Sequence, residues 1–251
     1  MKNIMVFERS EKKYLLTKQQ YLKLREKWEN IQIEDKYGLT SICNVYYDSE
    51  DYRLIRTSLE KPAYKEKFRV RSYGIPTKDS TVFLEIKKKV QDVVYKRRIE
   101  LKYDEAMKFL KNPQEAELNS QIAKEIKYMF QMYQLEPKMF VAYDRIATYN
   151  KNNPDIRVTF DFNLRNRENE LDIGVSDRGN LLFDDEMVLM EIKVNQAIPL
   201  WMVKDFEELD IKPISFSKYG NFYRKKIMNN YYKETSKSMD IERMCKLCFQ
   251  V

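Results

Sequence analysis

Histidine is absent from the chain. That excludes every mechanism built on a histidine base, nucleophile or metal ligand, and with them most hydrolase triads and most zinc sites. Cysteine is scarce, three in 251 residues; an odd number in a chain this long forms no disulfide framework and reads as a reducing compartment. With 5 glycines and 7 prolines, the composition suits long strands and not a linker-rich or disordered protein. No segment reaches the roughly 18 consecutive apolar residues that a membrane helix requires. Met1 to Ser10 is charged and holds no apolar stretch of signal-peptide length. The expectation is a cytoplasmic chain without a membrane segment of its own, with a membrane partner left open.

What is present is charge and aromatic side chains. Hydrophobic residues make up 43%, with 18 Tyr and 13 Phe, enough to bury one large core. Lys and Arg number 46 against 39 Asp and Glu, a net charge of +7, and the pI is near 9.0. This balance points to an anionic partner. The charges are too well mixed for a nucleic-acid-binding tail.

The segments read as a strand at 7–16, a helix capped by Thr17 and Gln20 and running to about Asn30, a strand at 41–48, and a short helix at 49–58 capped by Ser49 or Asp48. Strands follow at 63–73, 81–90 and 93–101, an antiparallel meander. Helices at 104–110 and 119–132 precede a strand pair at 139–149 and 156–164, then one or two strands within 181–194. A helix after Pro199 and a last one from about Ser217 to Asn229 or Asn230 complete a domain over 1–230, with a polar tail over 231–251. Cys245 and Cys248 in that tail have the spacing of a zinc or redox pair but lack partners to complete a site. Leu84-Glu85-Ile86-Lys87 and Met190-Glu191-Ile192-Lys193 echo one another.

Side chains two apart in a strand share a face. Arg9, Glu11 and Lys13 therefore form one charged row, Lys65, Lys67, Arg69 and Arg71 a second, Glu85, Lys87 and Lys89 a third, and Lys96 and Arg98 a fourth, each backed by an apolar face. Any single row reads most simply as the solvated side of a half-buried sheet. Several cationic rows on neighbouring strands repel one another unless an anion lies between them. Closing the sheet with these rows inward makes a polar tunnel. Cations facing inward also argue against a nucleic-acid binder, which presents them on an exposed face.

The rows Arg9-x-Glu11-x-Lys13-Tyr14, Tyr64 to Tyr73, Leu84 to Lys89 and Tyr95 to Arg98 resemble, in order, motifs of the VTC (vacuolar transporter chaperone) domain within the CYTH-like triphosphate tunnel metalloenzymes. So do Tyr143-Asp144-Arg145, Arg157 to Asp161, Met190 to Lys193 and Ser215 to Tyr219. The resemblance implies an α+β fold: a closed antiparallel eight-stranded β-barrel, the triphosphate tunnel, with helices packed outside. It implies a polyphosphate polymerase, an ATP-dependent phosphotransferase working on a nucleoside triphosphate and polyphosphate or triphosphate. An inorganic triphosphatase or nucleoside triphosphatase on the same tunnel, and a non-catalytic polyphosphate sensor, stay open as alternatives. Arg9 stands at the first glutamate of the superfamily's Glu-x-Glu-x-Lys signature, a departure that resembles the polymerase branch. Carried over, the resemblance implies catalytic roles for Lys13, Arg69, Arg71, Lys87, Arg145, Arg157 and Lys218. Lys96, Arg98 and Lys193 join them as phosphate contacts, and Glu191, Glu85 and Glu11 would hold Mn2+ or Mg2+.

Overall fold

The structure, a computed structural model, describes residues 10–91, 93–183, 186–195 and 197–235. Arg9 and the Cys245 and Cys248 pair lie outside the described residues. In chain order the strands are β1 (Ser10–Leu16), β2 (Gln32–Glu34), β3 (Thr40–Asp48), β4 (Tyr64–Tyr73), β5 (Thr81–Val90), β6 (Val93–Lys102), β7 (Glu136–Asn150), β8 (Arg157–Arg167), β9 (Asn180–Leu181), β10 (Val188–Val194) and β11 (Pro213–Ile214). The helices are α1 (Lys18–Lys27), α2 (Arg53–Leu59), α3 (Tyr103–Lys111), α4 (Gln121–Tyr133), α5 (Leu200–Glu208) and α6 (Lys218–Thr235). The last helix thus runs beyond the expected boundary at residue 230.

All strands belong to one antiparallel sheet in the order β11-β1-β10-β8-β7-β3-β4-β5-β6, with β2 and β9 added on β7 and β8. The long strands β1, β3, β4, β5, β6, β7, β8 and β10 match the eight expected, and the α+β class holds. Hydrogen bonds do not close the sheet into the expected barrel: β6 and β11 end the hydrogen-bonded path, and no ladder joins them among the described residues. The sheet nevertheless curls. Lys67 of β4 and Lys13 of β1, far apart along the path, both bond to the segment entering α6, at Ser217 Oγ (3.1 Å) and the Phe216 carbonyl (3.0 Å).

Alternation sets which face each row takes. The apolar partners of the charged rows pack outward into two separate cores. Phe68, Val70, Leu84 and Ile86 meet Phe109, Ile126 and Met129 of α3 and α4. Tyr14, Leu16, Phe160, Met190 and Ile192 meet Leu24, Met202 and Phe206 of α1 and α5, with Trp28 buried beside them. A third cluster fills one end of the inner side, where Ile42, Tyr46, Met139, Val141, Tyr143 and Leu189 cover Ile55 of α2 and Phe216, Tyr219 and Phe222. Tyr219 stacks on Tyr46 at 4.6 Å between centroids. The echoed tetrapeptides are equivalent in this sense: each turns its glutamate and lysine inward and its two apolar residues into a core. Lys225 and Lys226 anchor α6. Lys225 Nζ donates to the Leu181 and Leu182 carbonyls, and Lys226 Nζ donates to the Tyr52 hydroxyl at 2.7 Å.

Candidate functional site: a cationic interior

Antiparallel register places the charged rows side by side. Arg69 lies opposite Glu85, which lies opposite Arg98; Lys67 lies opposite Lys87, which lies opposite Lys96. Across the other half, Lys13 lies opposite Glu191, which lies opposite Thr159, and Arg145 lies opposite Asp161.

Glu85 is 3% exposed and gathers three cations. Arg69 donates to its Oε2 from Nε at 2.8 Å, Lys96 Nζ lies 3.0 Å from Oε1, and Arg71 Nε lies at 3.8 Å. Burial alone would raise this carboxyl; Arg69, Arg71 and Lys96 outweigh it and bring it down to about 2. Arg71 is itself buried, donating to Asn44 Oδ1 (2.9 Å) and to the Tyr143 hydroxyl (3.0 Å). Burial would also raise the Tyr143 phenol, but Arg71, Arg145 and Lys218 pull it down to about 8.

Asp161, fully buried, accepts from Arg145 Nε (2.6 Å) and Nη2 (2.8 Å), and Lys218 Nζ pairs with it at 2.6 Å. It therefore orients Arg145, the fork geometry that suits a carboxylate or a phosphate. Asp144, the other acid beside that arginine in sequence, faces away and pairs with Arg165 at 3.1 Å. Glu191 and Glu11 meet at Lys13: its Nζ lies 3.0 Å from Glu11 Oε1 and 3.9 Å from Glu191 Oε2, and Lys193 Nζ lies 2.6 Å from Glu191 Oε1. Glu191 is held well below the usual carboxylate range, since Lys193, Lys13 and Lys218 outweigh the effect of burial.

Lys67 has no such compensation. Its Nζ donates to Ser217 Oγ, a neutral acceptor. Burial, then Lys87, Lys65, Lys13 and Arg69, lower its ammonium to about 7 from 10.5. Cations thus crowd a space into which few carboxylates reach. Lys87, opposite Lys67, and Arg157 are exposed; Arg98 pairs with Glu100 at 3.1 Å and lies over the Phe83 ring.

A known family covers these same elements: the VTC domain matches residues 8–226. The chain belongs to the VTC domain family. No curated protein matches it. Among solved structures it is similar to a provisionally named adenylate cyclase from Bacillus halodurans, with 12% identity, TM-score 0.52, and 82% of this chain and 92% of that one covered. It is also similar to a provisionally named adenylyl cyclase from Hippeastrum with a dominant triphosphatase activity (11% identity, TM-score 0.47, coverage 85% and 94%). The PH1819 protein from Pyrococcus horikoshii is similar at 13% identity, TM-score 0.45 and coverage 87% and 99%. At these identities the likeness to the first concerns the fold.

In this VTC domain the three carboxylates expected to hold a metal do not converge, and among the described residues no group of three metal-binding side chains forms. Glu85 is occupied by Arg69 and Lys96. Glu11 and Glu191 do fit a divalent ion: burial and the nearby Glu191 carboxylate would raise the Glu11 carboxyl, but Lys13, Lys87 and Lys193 outweigh them and hold it below its ordinary value, and Lys13 Nζ already serves as the cation between the two acids. Mg2+ is commonly bound through one or two carboxylates, with phosphate oxygens and water completing the shell. No helix among the described residues is long and apolar enough to cross a membrane.

Several residues now stand in the site that sequence reading left unassigned: Lys67, Tyr143, Asp161, Asn44 and Ser217. Lys67 was legible, since it sits in the same period-2 row as Arg69 and Arg71. Asn44 and Ser217 enter through contacts between distant segments, for which no local pattern exists.

Proposed function

We propose that this VTC domain transfers the terminal phosphoryl group of a nucleoside triphosphate to a growing polyphosphate chain held in its cationic interior. One observation carries the reading: Lys67, with Lys87, Lys13 and Arg69 around it, has the neutral Ser217 hydroxyl as its hydrogen-bond acceptor, and burial together with those cations lowers its ammonium to about 7. A phosphate chain supplies the missing charge along a line, matching cations that are spaced along strands.

Phosphoryl transfer needs little covalent help; positioning and neutralisation of the equatorial oxygens lower most of the barrier. Arg69 and Arg145, each pre-oriented by a buried carboxylate, present guanidinium edges to the phosphates. Lys13, Lys67, Lys87, Lys96 and Lys218 act as point charges, and Arg157, Lys193 and Arg98 lie towards the rim. Glu191 with Glu11 would hold Mn2+ or Mg2+, which when bound offsets phosphate charge and polarises the transferred group. An oxygen of the acceptor phosphate forms the new bond to the γ-phosphorus as the bond to the β-phosphate bridging oxygen breaks, so no protein nucleophile is needed.

Incubation with ATP and Mn2+ tests this. Long-chain polyphosphate on a gel is the expected product, lost in Glu191→Ala. Orthophosphate alone would establish a triphosphatase instead, and tight tripolyphosphate binding without turnover a sensor.

A further inference from the structure

Thr159 lies on the inner face of β8, between Arg157 and Asp161 on its own strand, opposite Glu191 of β10 and Ala147 of β7. Its Oγ1 is buried and has no hydrogen-bond partner among the described residues. A buried hydroxyl left without a partner carries its full desolvation penalty, and such groups in folded proteins are rare enough to need a reason. The acceptors beside it are engaged elsewhere. Glu191 pairs with Lys193 and Lys13, and Asp161 with Arg145 and Lys218. Thr148, a buried threonine on the adjacent strand, shows the ordinary arrangement, with its hydroxyl 3.3 Å from Gln32 Oε1 and 3.2 Å from the Val158 carbonyl. Valine has the same shape as threonine and suits a strand at least as well. Packing alone therefore gives no reason for a hydroxyl at 159.

We propose that Thr159 is a further phosphate-binding residue, whose hydroxyl donates to a non-bridging oxygen of the phosphoryl group lying between Glu191 and the Arg145–Asp161 pair. The inference rests on the reading of the interior as a phosphate-chain site. Ala147 opposite carries only a methyl group, so its side chain takes up little of the room above the hydroxyl. A neutral donor at this point adds a directed contact without adding to the repulsion among the cations of the ligand-free interior.

Thr159→Val and Thr159→Ser separate this role from a structural one. Calorimetric titration with tripolyphosphate should show roughly ten-fold weaker binding for the valine variant, as expected for a lost hydrogen bond to a charged acceptor, and binding within about two-fold of the parent for the serine variant. Thermal unfolding of ligand-free Thr159→Val should be unchanged or shifted upward, because an unpartnered hydroxyl has been removed. Unchanged tripolyphosphate affinity in the valine variant overturns the assignment, as does a loss of ligand-free stability shared by both variants. If the parent itself fails to bind tripolyphosphate, the phosphate-chain reading falls, and the role of Thr159 with it.

Discussion

Lys67 is the residue at which the interior's charge imbalance can be measured. Its ammonium falls to about 7 in the folded protein against 10.5 as the ordinary value. Between those pH values the unfolded chain keeps a proton that the folded protein lacks, so this group makes stability rise with pH, and its penalty is fully present below pH 7. Lys67→Met removes that penalty. The ligand-free variant should melt about 2–4 °C above the parent at pH 6 for each kcal/mol relieved, and should match it at pH 10. A polyanion reverses the preference by favouring the protonated form. Tripolyphosphate binding at pH 8 should then take up close to one more proton in the parent than in the variant, read by calorimetry in two buffers of different ionisation heat. Equal uptake would show that Lys67 does not face the anion.

At the scale of elements, the start of α6 ties the site to the fold. Tyr52, at the N-terminus of α2, is left-handed and makes no side-chain cap. Asp48, at the end of β3, supplies the acceptors instead: Oδ1 takes the Leu54 amide (2.7 Å) and Oδ2 the Ile55 amide and the Tyr219 hydroxyl, each at 3.0 Å. One buried carboxylate thus joins β3, α2 and the first turn of α6, which carries Lys218. Asp48→Ala leaves these donors unpaired and should cost about 3 kcal/mol, while Tyr219→Phe should cost about 1 kcal/mol. Urea midpoints at unchanged m value measure both; a loss below about 1 kcal/mol for Asp48→Ala would mean that α2 is held by packing alone.

Much of this was legible locally. Thr17 and Gln20 form the expected capping box, Ser49 and Asp48 both cap α2, and β5 spans the expected 81–90. Period-2 alternation made the rows and their faces readable because one face of each strand is apolar. The two-residue β9 and β11 carry too few side chains to show a period. Which acid serves which arginine was also hidden: Asp161 pairs with Arg145 on the neighbouring strand, a partner that no local spacing indicates. Glu11 and Glu191 share a lysine because β1 and β10 pair across most of the chain's length, a relation that only the fold supplies.

The whole molecule is one sheet with two outer cores, and its two halves face each other across like charge. One half, β3 to β6, rests on α3 and α4; the other, β1, β8 and β10, rests on α1 and α5. The hydrogen-bonded path leaves β6 as an edge, and its first six residues are exposed. Lys67 and Lys13 reach the same segment before α6 while repelling each other. In such a molecule a polyanion acts as a fastener, because it pairs with cations on both halves and removes the repulsion between them. Binding at a thousand times Kd adds about 4 kcal/mol to stability by mass action alone. The distinctive consequence is where that stability appears. Amides of β5 and β6 exchange with solvent water through local opening of the exposed edge, so tripolyphosphate should slow their exchange together with that of β1 and β10. Sodium chloride at the same ionic strength should not, since screening lessens repulsion without bridging the halves. Protection confined to one half would place the anion on a single wall and sink the idea of a chain held between the two.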